Sequence, residues 1–570
     1  MSPDFFTGCS LGHVFFASRG RRGADGRIVA MLRAFCAVGF LALVILLVRA
    51  ARIGIAGDYV DPVSRITAQD EALYAHSAIR MATRGDWLTP HFMGRLALYK
   101  PPLLVWTAGV TAKILGISRL TLRLPVVLLA ALAAGLIFLW GAEIQGWQAG
   151  AAAAILLMAN HLWVTLGALV MTDALLVAFF IAAFYALFTD PWLETRAGFF
   201  GFAGAVAAGI LTKGIAGLLP LGVLGLYWLT APGKYRPAFT RVCAAGAVAV
   251  LIAAPWFVYQ AAVHPRWFWA EHFGVEIFGF GAGAPPQTSR EPQALFYLAR
   301  LAVADPILLA VAFAALPDFI TALRKRSQGA TLLACWIAVA IGSVLVWQYR
   351  NASYLLPLVP ALALLAAGYS PFLQRRYAPW ILAALAAAFL VKCAVPELTW
   401  GLSFAEGTVQ PLAAPLSTYC DQRRGNTLIV VDLGDDLYAS VLPLERLRYA
   451  ALQPAAGGTR YGMPFEEMGI TLTVDQFNNL PALEPQFRER LRQWGIDSSE
   501  PIGTVIVARN ENDLAELTGR HPEADFLVPM KYRAAVGRSP HAIAAAGGDY
   551  FFLISRGRGE GRGAVWSCHL

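Results

Sequence analysis

Pro101-Pro102-Leu103-Leu104-Val105-Trp106-Thr107-Ala108-Gly109-Val110-Thr111-Ala112-Lys113-Ile114-Leu115-Gly116-Ile117 is the stretch on which the threading of this chain turns. It is apolar, yet short for a bilayer crossing, opens on two prolines and carries Lys113 in its interior. If it crosses a membrane, every later loop changes side; if it lies along the interface, none does. Composition makes this a membrane question. With 57% hydrophobic residues, 15% charged residues and a mean hydropathy of +0.54 over 570 residues, the chain is far too apolar for a set of soluble domains.

Outward from that stretch, eleven runs are long enough, or nearly so, to cross: 32–50, 123–141, 149–168, 173–189, 197–212, 214–231, 241–260, 294–322, 330–348, 353–370 and 378–396. The positive-inside rule chooses between the two threadings. With the 101–117 run at the interface, the clusters Lys234/Arg236/Arg241, Arg324/Lys325/Arg326 and Arg375/Arg376 fall on the cytoplasmic side with the N-terminal arginines. The interfacial reading is therefore preferred. It opens Asp70, Glu71, Lys100, the Thr172-Asp173 turn, the Thr212-Lys213-Gly214 turn, the 261–293 loop and Gln348 to Asn351 on the outer face.

The net charge of +9 is read as this orientation charge, not as a nucleic-acid footprint. Seven cysteines contain no C-x-x-C pair, and Cys9, Cys36, Cys243, Cys335 and Cys393 lie in or near apolar segments, as small hydrophobes do. Arg19, Arg21, Arg22, Arg27 and Arg33 ahead of Ala34 to Val48 resemble a signal peptide. No small-residue cleavage site follows, so an uncleaved first helix is expected.

The expected organisation is a basic cytoplasmic N-terminus (1–31), a polytopic all-α membrane domain (32–396) with a first periplasmic loop at 51–122, and a C-terminal soluble domain (397–570). In that last region the runs 427–432, 504–508 and 550–554 alternate with helical patterns at Pro485 to Trp494 and Glu511 to Leu517, which predicts a small α/β domain. Eleven crossings put it outside the cytoplasm, where Cys420 and Cys568 either pair or stay as two thiols. The Gly/Arg-rich tail 557–563 reads as disordered.

Several residues have the chemistry of a site. Asp70 and Glu71 are adjacent, so on a helix their side chains diverge by about 100°. One is expected to be catalytic and the other to make a structural pair. The bland alternative is a capped juxtamembrane helix with Thr67 as N-cap and Asp70 at N3. Lys100, fixed by the prolines after it, is either an interfacial anchor or a phosphate ligand. Asp173 is an acid in an apolar setting, with Thr172 a candidate cap, and Lys213 sits in a similar break. In the 261–293 loop, His264, His272 and Glu276 are weak candidates for a divalent metal, since the histidine spacing matches no zinc pattern. Arg350 suits a bidentate contact to a phosphodiester, or snorkels at a helix end.

The order of motifs then becomes recognisable. Asp70-Glu71-Ala72-Leu73-Tyr74, Gly85-Asp86-Trp87-Leu88-Thr89-Pro90, Lys100-Pro101-Pro102-Leu103, Arg123-Leu124-Pro125, Thr172-Asp173-Ala174, Thr212-Lys213-Gly214 and Tyr354-Leu355-Leu356-Pro357 together resemble the aminoarabinose lipid A transferase family. That family is related to the dolichyl-phosphate-mannose protein mannosyltransferases, within the GT-C membrane glycosyltransferases. The likeness spans roughly residues 55–370. It implies a GT-C fold in a bacterial inner membrane and an inverting transferase taking sugar from an undecaprenyl (polyprenyl) phosphate donor on the periplasmic face. The acceptor would be a glycolipid, glycan or protein.

The resemblance also implies Asp70 as catalytic residue, Lys100 as ligand of the donor phosphate and Asp173 close to the active site; from their charges Arg350 and Lys213 are expected to assist Lys100 at the phosphate, and Glu71, Tyr74, His272 and Tyr354 are expected as active-site support. No cofactor is implied beyond that weak metal. Two departures stand out: Leu73 where the family often has Arg, and Tyr99 where it often has Glu. Aminoarabinose specificity is therefore not carried over. The competing expectation is a lipid or polyprenyl-glycan transporter with buried acids as proton or substrate sites.

Overall fold

The structure, a computed structural model, describes residues 24–52, 70–92, 95–282, 292–373, 378–394, 427–431, 448–454, 471–473, 504–508, 511–522, 524–533, 541–547 and 550–555. Thr67, the pair Cys420 and Cys568, the 485–494 pattern, the 557–563 tail and the expected boundary near 397 lie outside these residues. The chain divides into two compact units, the first formed by 1–50, 126–257 and 281–402, the second by 51–125, 258–280 and 403–570.

The first unit is helical. Seven described helical stretches are long and apolar enough to cross a membrane: Val29–Ala51, Arg119–Gln145, Thr172–Thr189, Arg196–Thr230, Gly233–Val263, Pro306–Arg324 and Gln328–Val346. The protein is a multi-span membrane protein. Expected runs 149–168, 353–370 and 378–396 fall on shorter apolar helices.

Two breaks explain the differences from the expected runs. The run 294–322 is divided at Asp305 into Gln293–Ala304 and Pro306–Arg324; Asp305 Oδ1 accepts from Leu308 N at 3.1 Å and Pro306 supplies the first helical residue. The run 149–168 is divided at Asn160, whose side chain accepts from Trp163 N at 3.1 Å. Asn160 Nδ2 also donates to Asp305 Oδ2 at 3.2 Å, so the two caps are tied together in the interior.

Arg196–Thr230 is not one rod, as the sequence reading anticipated. The helix ends at Lys213, Gly214 takes φ 56°, and the chain folds back so that a Cβ on Gly217 would lie 2.2 Å from Ile210 N. Small residues serve the helix contacts too: a Cβ on Gly150 would meet Phe138 O at 2.4 Å, so Arg119–Gln145 and Trp147–Ala159 touch at backbone distance. Rings fill the wider spaces, with Trp336 centred 6.0 Å from Trp140 and 4.6 Å from Phe184.

In the second unit, helix Asp70–Arg84 packs on helix Leu103–Leu115, the stretch that opened the sequence reading. Between them a hairpin pairs β1 (His91–Phe92) with β2 (Arg95–Leu96). The motif Gly85-Asp86-Trp87-Leu88-Thr89-Pro90 is a turn: Gly85 has φ 84°, and Asp86 Oδ1 accepts from Leu88 N at 3.3 Å and Thr89 N at 3.1 Å.

The C-terminal part of this unit is the expected α/β structure. Strands β3 (Thr427–Val431), β4 (Arg448–Pro454), β5 (Thr471–Thr473), β6 (Thr504–Ala508), β7 (Asp525–Pro529), β8 (Ala542–Gly547) and β9 (Tyr550–Ile554) form one sheet in the order β5-β6-β4-β3-β7-β9-β8. The first five are parallel and β9 and β8 antiparallel, with helix Glu511–Arg520 between β6 and β7 in sequence. Phe526, Phe551 and Phe552 are buried, as strands covered on both faces require.

Candidate active site

Helix Asp70–Arg84 begins at the two acids, both favoured by the positive end of the helix dipole. Their side chains then part, as the 100° step between neighbours demands. Glu71 is 1% exposed and takes a two-pronged ion pair with the fully buried Arg123: Nε to Oε1 at 2.8 Å and Nη2 to Oε2 at 2.9 Å. Asp70 is exposed. The structural member of the acid pair is therefore Glu71, and Tyr74, one turn beyond Asp70 on the same helix, is buried. The sequence reading quoted Arg123 as a motif residue and gave it no role. An arginine within an apolar run was the available signal, since such a charge needs a buried partner.

Lys100 is held from another direction. Three successive residues, Leu98, Tyr99 and Lys100, are gripped by side chains of the π-helical stretch Trp269–Gly279. Leu98 N donates to Glu271 Oε2 at 2.6 Å, His272 Nδ1–H donates to Tyr99 O at 3.0 Å, and Lys100 Nζ forms an ion pair with Glu276 Oε2. In a π-helix residues five apart stand over one another, which lets Glu271 and Glu276 reach the same strand of chain. Lys100 and Glu276 are each partly exposed, unlike Glu71 and Arg123.

Burial lowers the His272 pKa to about 4, with the nearby Lys100 charge acting in the same direction and the backbone hydrogen bonds opposing it. It is a neutral donor at neutral pH. His91 is likewise lowered to about 4, first by burial and then by Arg80. Among the described residues no group of three or more His, Cys, Asp or Glu could hold a metal ion. The metal expectation for His264, His272 and Glu276 is corrected accordingly: Glu276 is engaged by Lys100 and His272 by Tyr99.

In the first unit, Asp173 and Lys213 meet at 2.7 Å, Asp173 from the first turn of Thr172–Thr189 and Lys213 from the last of Arg196–Lys213. Both are shielded, and the Lys213 ammonium lies 5.2 Å from the Tyr354 ring centroid. Thr172 is not the cap: the capping position is Met171, which makes no side-chain hydrogen bond there. Tyr354 lies in the 3-10 turn Ala352–Leu358 and Arg350 just before it, with its guanidinium carbon 6.0 Å from the Phe296 ring centroid. Asp70, Glu71, Tyr74, Lys100, His264, His272 and Glu276 thus belong to the second unit, and Asp173, Lys213, Arg350 and Tyr354 to the first.

Residues 99–259 match the family model described as dolichyl-phosphate-mannose-protein mannosyltransferase. An undecaprenyl phosphate-alpha-4-amino-4-deoxy-L-arabinose arabinosyl transferase of Edwardsiella ictaluri is 26% identical over 316 residues, 53% of this chain and 54% of that protein. The Aeromonas salmonicida enzyme of the same name is 30% identical over 219 residues, 36% of this chain and 39% of its own. The chain spans about half the length of the curated relatives it matches. Its fold is similar to that of the crystal structure of ArnT from Cupriavidus metallidurans bound to undecaprenyl phosphate, with a TM-score of 0.61 at 17% identity, covering 93% of this chain and 98% of that one. The GT-C fold expected from the sequence is the fold observed.

Proposed function

We propose that the chain is an inverting membrane glycosyltransferase that takes a sugar from a polyprenyl-phosphate donor and transfers it to an envelope glycolipid, glycan or protein. It would act in a bacterial inner membrane with its site and sheet domain on the periplasmic side. The observation that carries the reading is the division of labour at Asp70-Glu71, with Glu71 locked to Arg123 and Asp70 left exposed on the helix so fixed. The likeness to the arabinosyl transferases adds the donor class. The relatives and the solved neighbour reported above are transferases, and no specific observation favours a transporter.

The chemistry follows from charge. As the bond from sugar to phosphate breaks, negative charge grows on the departing phosphate oxygen, and a cation already in place lowers the barrier without reorganisation. Lys100 is that cation. A donor phosphate arriving there would take over its ammonium from Glu276. Asp70 would orient an acceptor hydroxyl opposite the leaving group and take its proton, giving inversion. If the acceptor is a phosphate, no base is needed and Asp70 holds the sugar. Asp173, Lys213, Tyr354 and Arg350 are a separate group in this proposal, in which Arg350 and Lys213 have the charge to hold a phosphate.

Membranes carrying wild type or Asp70→Asn, supplied with labelled polyprenyl-phosphate sugar, give the test. Transfer by wild type and its loss in the variant are expected. Equal transfer by both would overturn the role of Asp70, and no transfer by wild type to any envelope fraction would overturn the reading.

A further inference from the structure

Asp173 and Lys213 mark one end of two helices of the first unit that pack on each other, and a different polar cluster lies at the other end. Thr172–Thr189 and Arg196–Lys213 have 18 residues each, about 27 Å of helix, so the two ends stand nearly a bilayer core apart. The loop that joins the far ends is built from within. Buried Asp190 accepts from Glu194 N at 3.2 Å, Thr195 N at 2.8 Å and Thr195 Oγ1 at 2.8 Å, and Leu193 is buried at φ 53°. A second loop, 231–238, is fastened to it: Trp192 Nε1 donates to Lys234 O at 3.1 Å, and Arg241, in the first turn of helix Phe239–Val263, donates from Nη1 to Leu193 O at 2.9 Å.

This lacing gathers Lys234, Arg236 and Arg241, all exposed, and among the described residues none of them has a carboxylate within ion-pair distance. Glu194 is the exposed acid of the two loops. Rings accompany the cations. The Lys234 ammonium lies 4.8 Å from the Tyr235 centroid, the Arg236 guanidinium carbon 5.9 Å from that of Trp228, and the Trp228 and Phe239 rings are centred 5.2 Å apart. A ring face draws a cation without cancelling its charge. Phe239 is itself 59% exposed, and farther along its helix Val250, Leu251 and Ile252 are bare. The surface thus passes from cations through exposed rings to uncovered aliphatic side chains, the sequence headgroup, interface and acyl chain present in a lipid leaflet.

We infer that these two laced loops are a docking surface for the anionic lipid of the leaflet at that end, and that they recognise the net charge of its headgroups. A zwitterionic phospholipid carries a phosphate too but no net charge, so it is the weaker partner. The surface is separate from the Asp173 and Lys213 group and does not depend on sugar transfer. In the orientation proposed above the leaflet is the cytoplasmic one.

Purified full-length protein in neutral detergent is titrated with phosphatidylglycerol, cardiolipin or phosphatidylcholine, and bound lipid is counted by native mass spectrometry. Wild type should bind the two anionic lipids at least about tenfold more tightly than phosphatidylcholine. The preference should vanish near 1 M salt, where the screening length is about 3 Å. Lys234→Gln with Arg236→Gln should lose at least about tenfold for the anionic lipids and nothing for phosphatidylcholine, whose binding reports a folded protein. Arg324→Gln with Lys325→Gln removes the same charge from exposed residues at the same end of the unit, where Gln328 Nε2 donates to Phe188 O at 2.6 Å, and should keep the preference within about threefold. Equal losses in the two double variants would assign the effect to net charge and overturn the proposal. A wild type without the preference, a preference indifferent to salt, a Lys234/Arg236 variant that keeps it, or an equal loss for phosphatidylcholine would overturn it as well.

Discussion

Two ion pairs in the second unit are built from similar groups and do opposite things. Glu71 and Arg123 are both within 1% of complete burial and share two hydrogen bonds, whereas Lys100 and Glu276 keep 17% and 18% of their side-chain surface. A fully desolvated, two-pronged pair cannot exchange partners without stranding a charge, so it fixes a helix. A single-pronged pair at a partly wet site can open for a competing anion at small cost. Burial and valency separate a locked pair from one that can open here, more clearly than residue type does.

Breaking the first pair should have the largest effect. Arg123→Gln leaves Glu71 buried without its partner and should cost about 3–5 kcal/mol, seen as a collapse of the melting temperature in detergent. The double replacement Glu71→Leu with Arg123→Met should recover much of that stability, because no charge is then stranded. Asp70→Asn sharpens the contrast from the neighbouring position: melting should move by no more than about 0.5 kcal/mol, while transfer falls roughly 10²–10⁴-fold.

At the second pair, Lys100→Ala should weaken donor binding about 10–100-fold in a titration with undecaprenyl phosphate, the worth of a hydrogen bond to a charged group. Glu276→Gln should do the reverse, tightening phosphate binding because the ammonium no longer has a resident carboxylate. Equal weakening by both would mean that the pair acts as a unit. A last expected effect is on pH. His272 and His91 have pKa values lowered in the folded state, so the unfolded chain binds their protons first. Their contribution is complete above about pH 6.5 and is lost as pH falls towards 4. Thermal melts across that window should slope downward with acid, and His272→Asn should flatten the slope.

Much of the fold was legible because membrane crossing and strand formation are written locally. Runs of apolar residues became helices, and 427–431, 504–508 and 550–554 became strands. The divergence of Asp70 and Glu71 was legible too, from helix geometry alone, with one of the two in a structural pair. What could not be read was partnership over distance: Arg123 meets Glu71 across 52 positions, and the grip on Leu98 and Tyr99 comes from 173 positions away. Thr172 misled because a favourable capping residue had already entered the helix. The 294–322 run misled because hydropathy does not register a single buried aspartate that starts a new helix.

The π-helical winding of Trp269–Gly279 makes the Lys100 region sensitive to residue count. On α-winding residues four apart stand over one another as five apart do here, so a one-residue deletion between His272 and Glu276 that let the segment relax would keep both carboxylates on one side, whereas a one-residue insertion would turn the downstream one by about a quarter turn while the upstream one stays on Leu98. A shortened segment should therefore keep its grip on Leu98 and Lys100 better than a lengthened one.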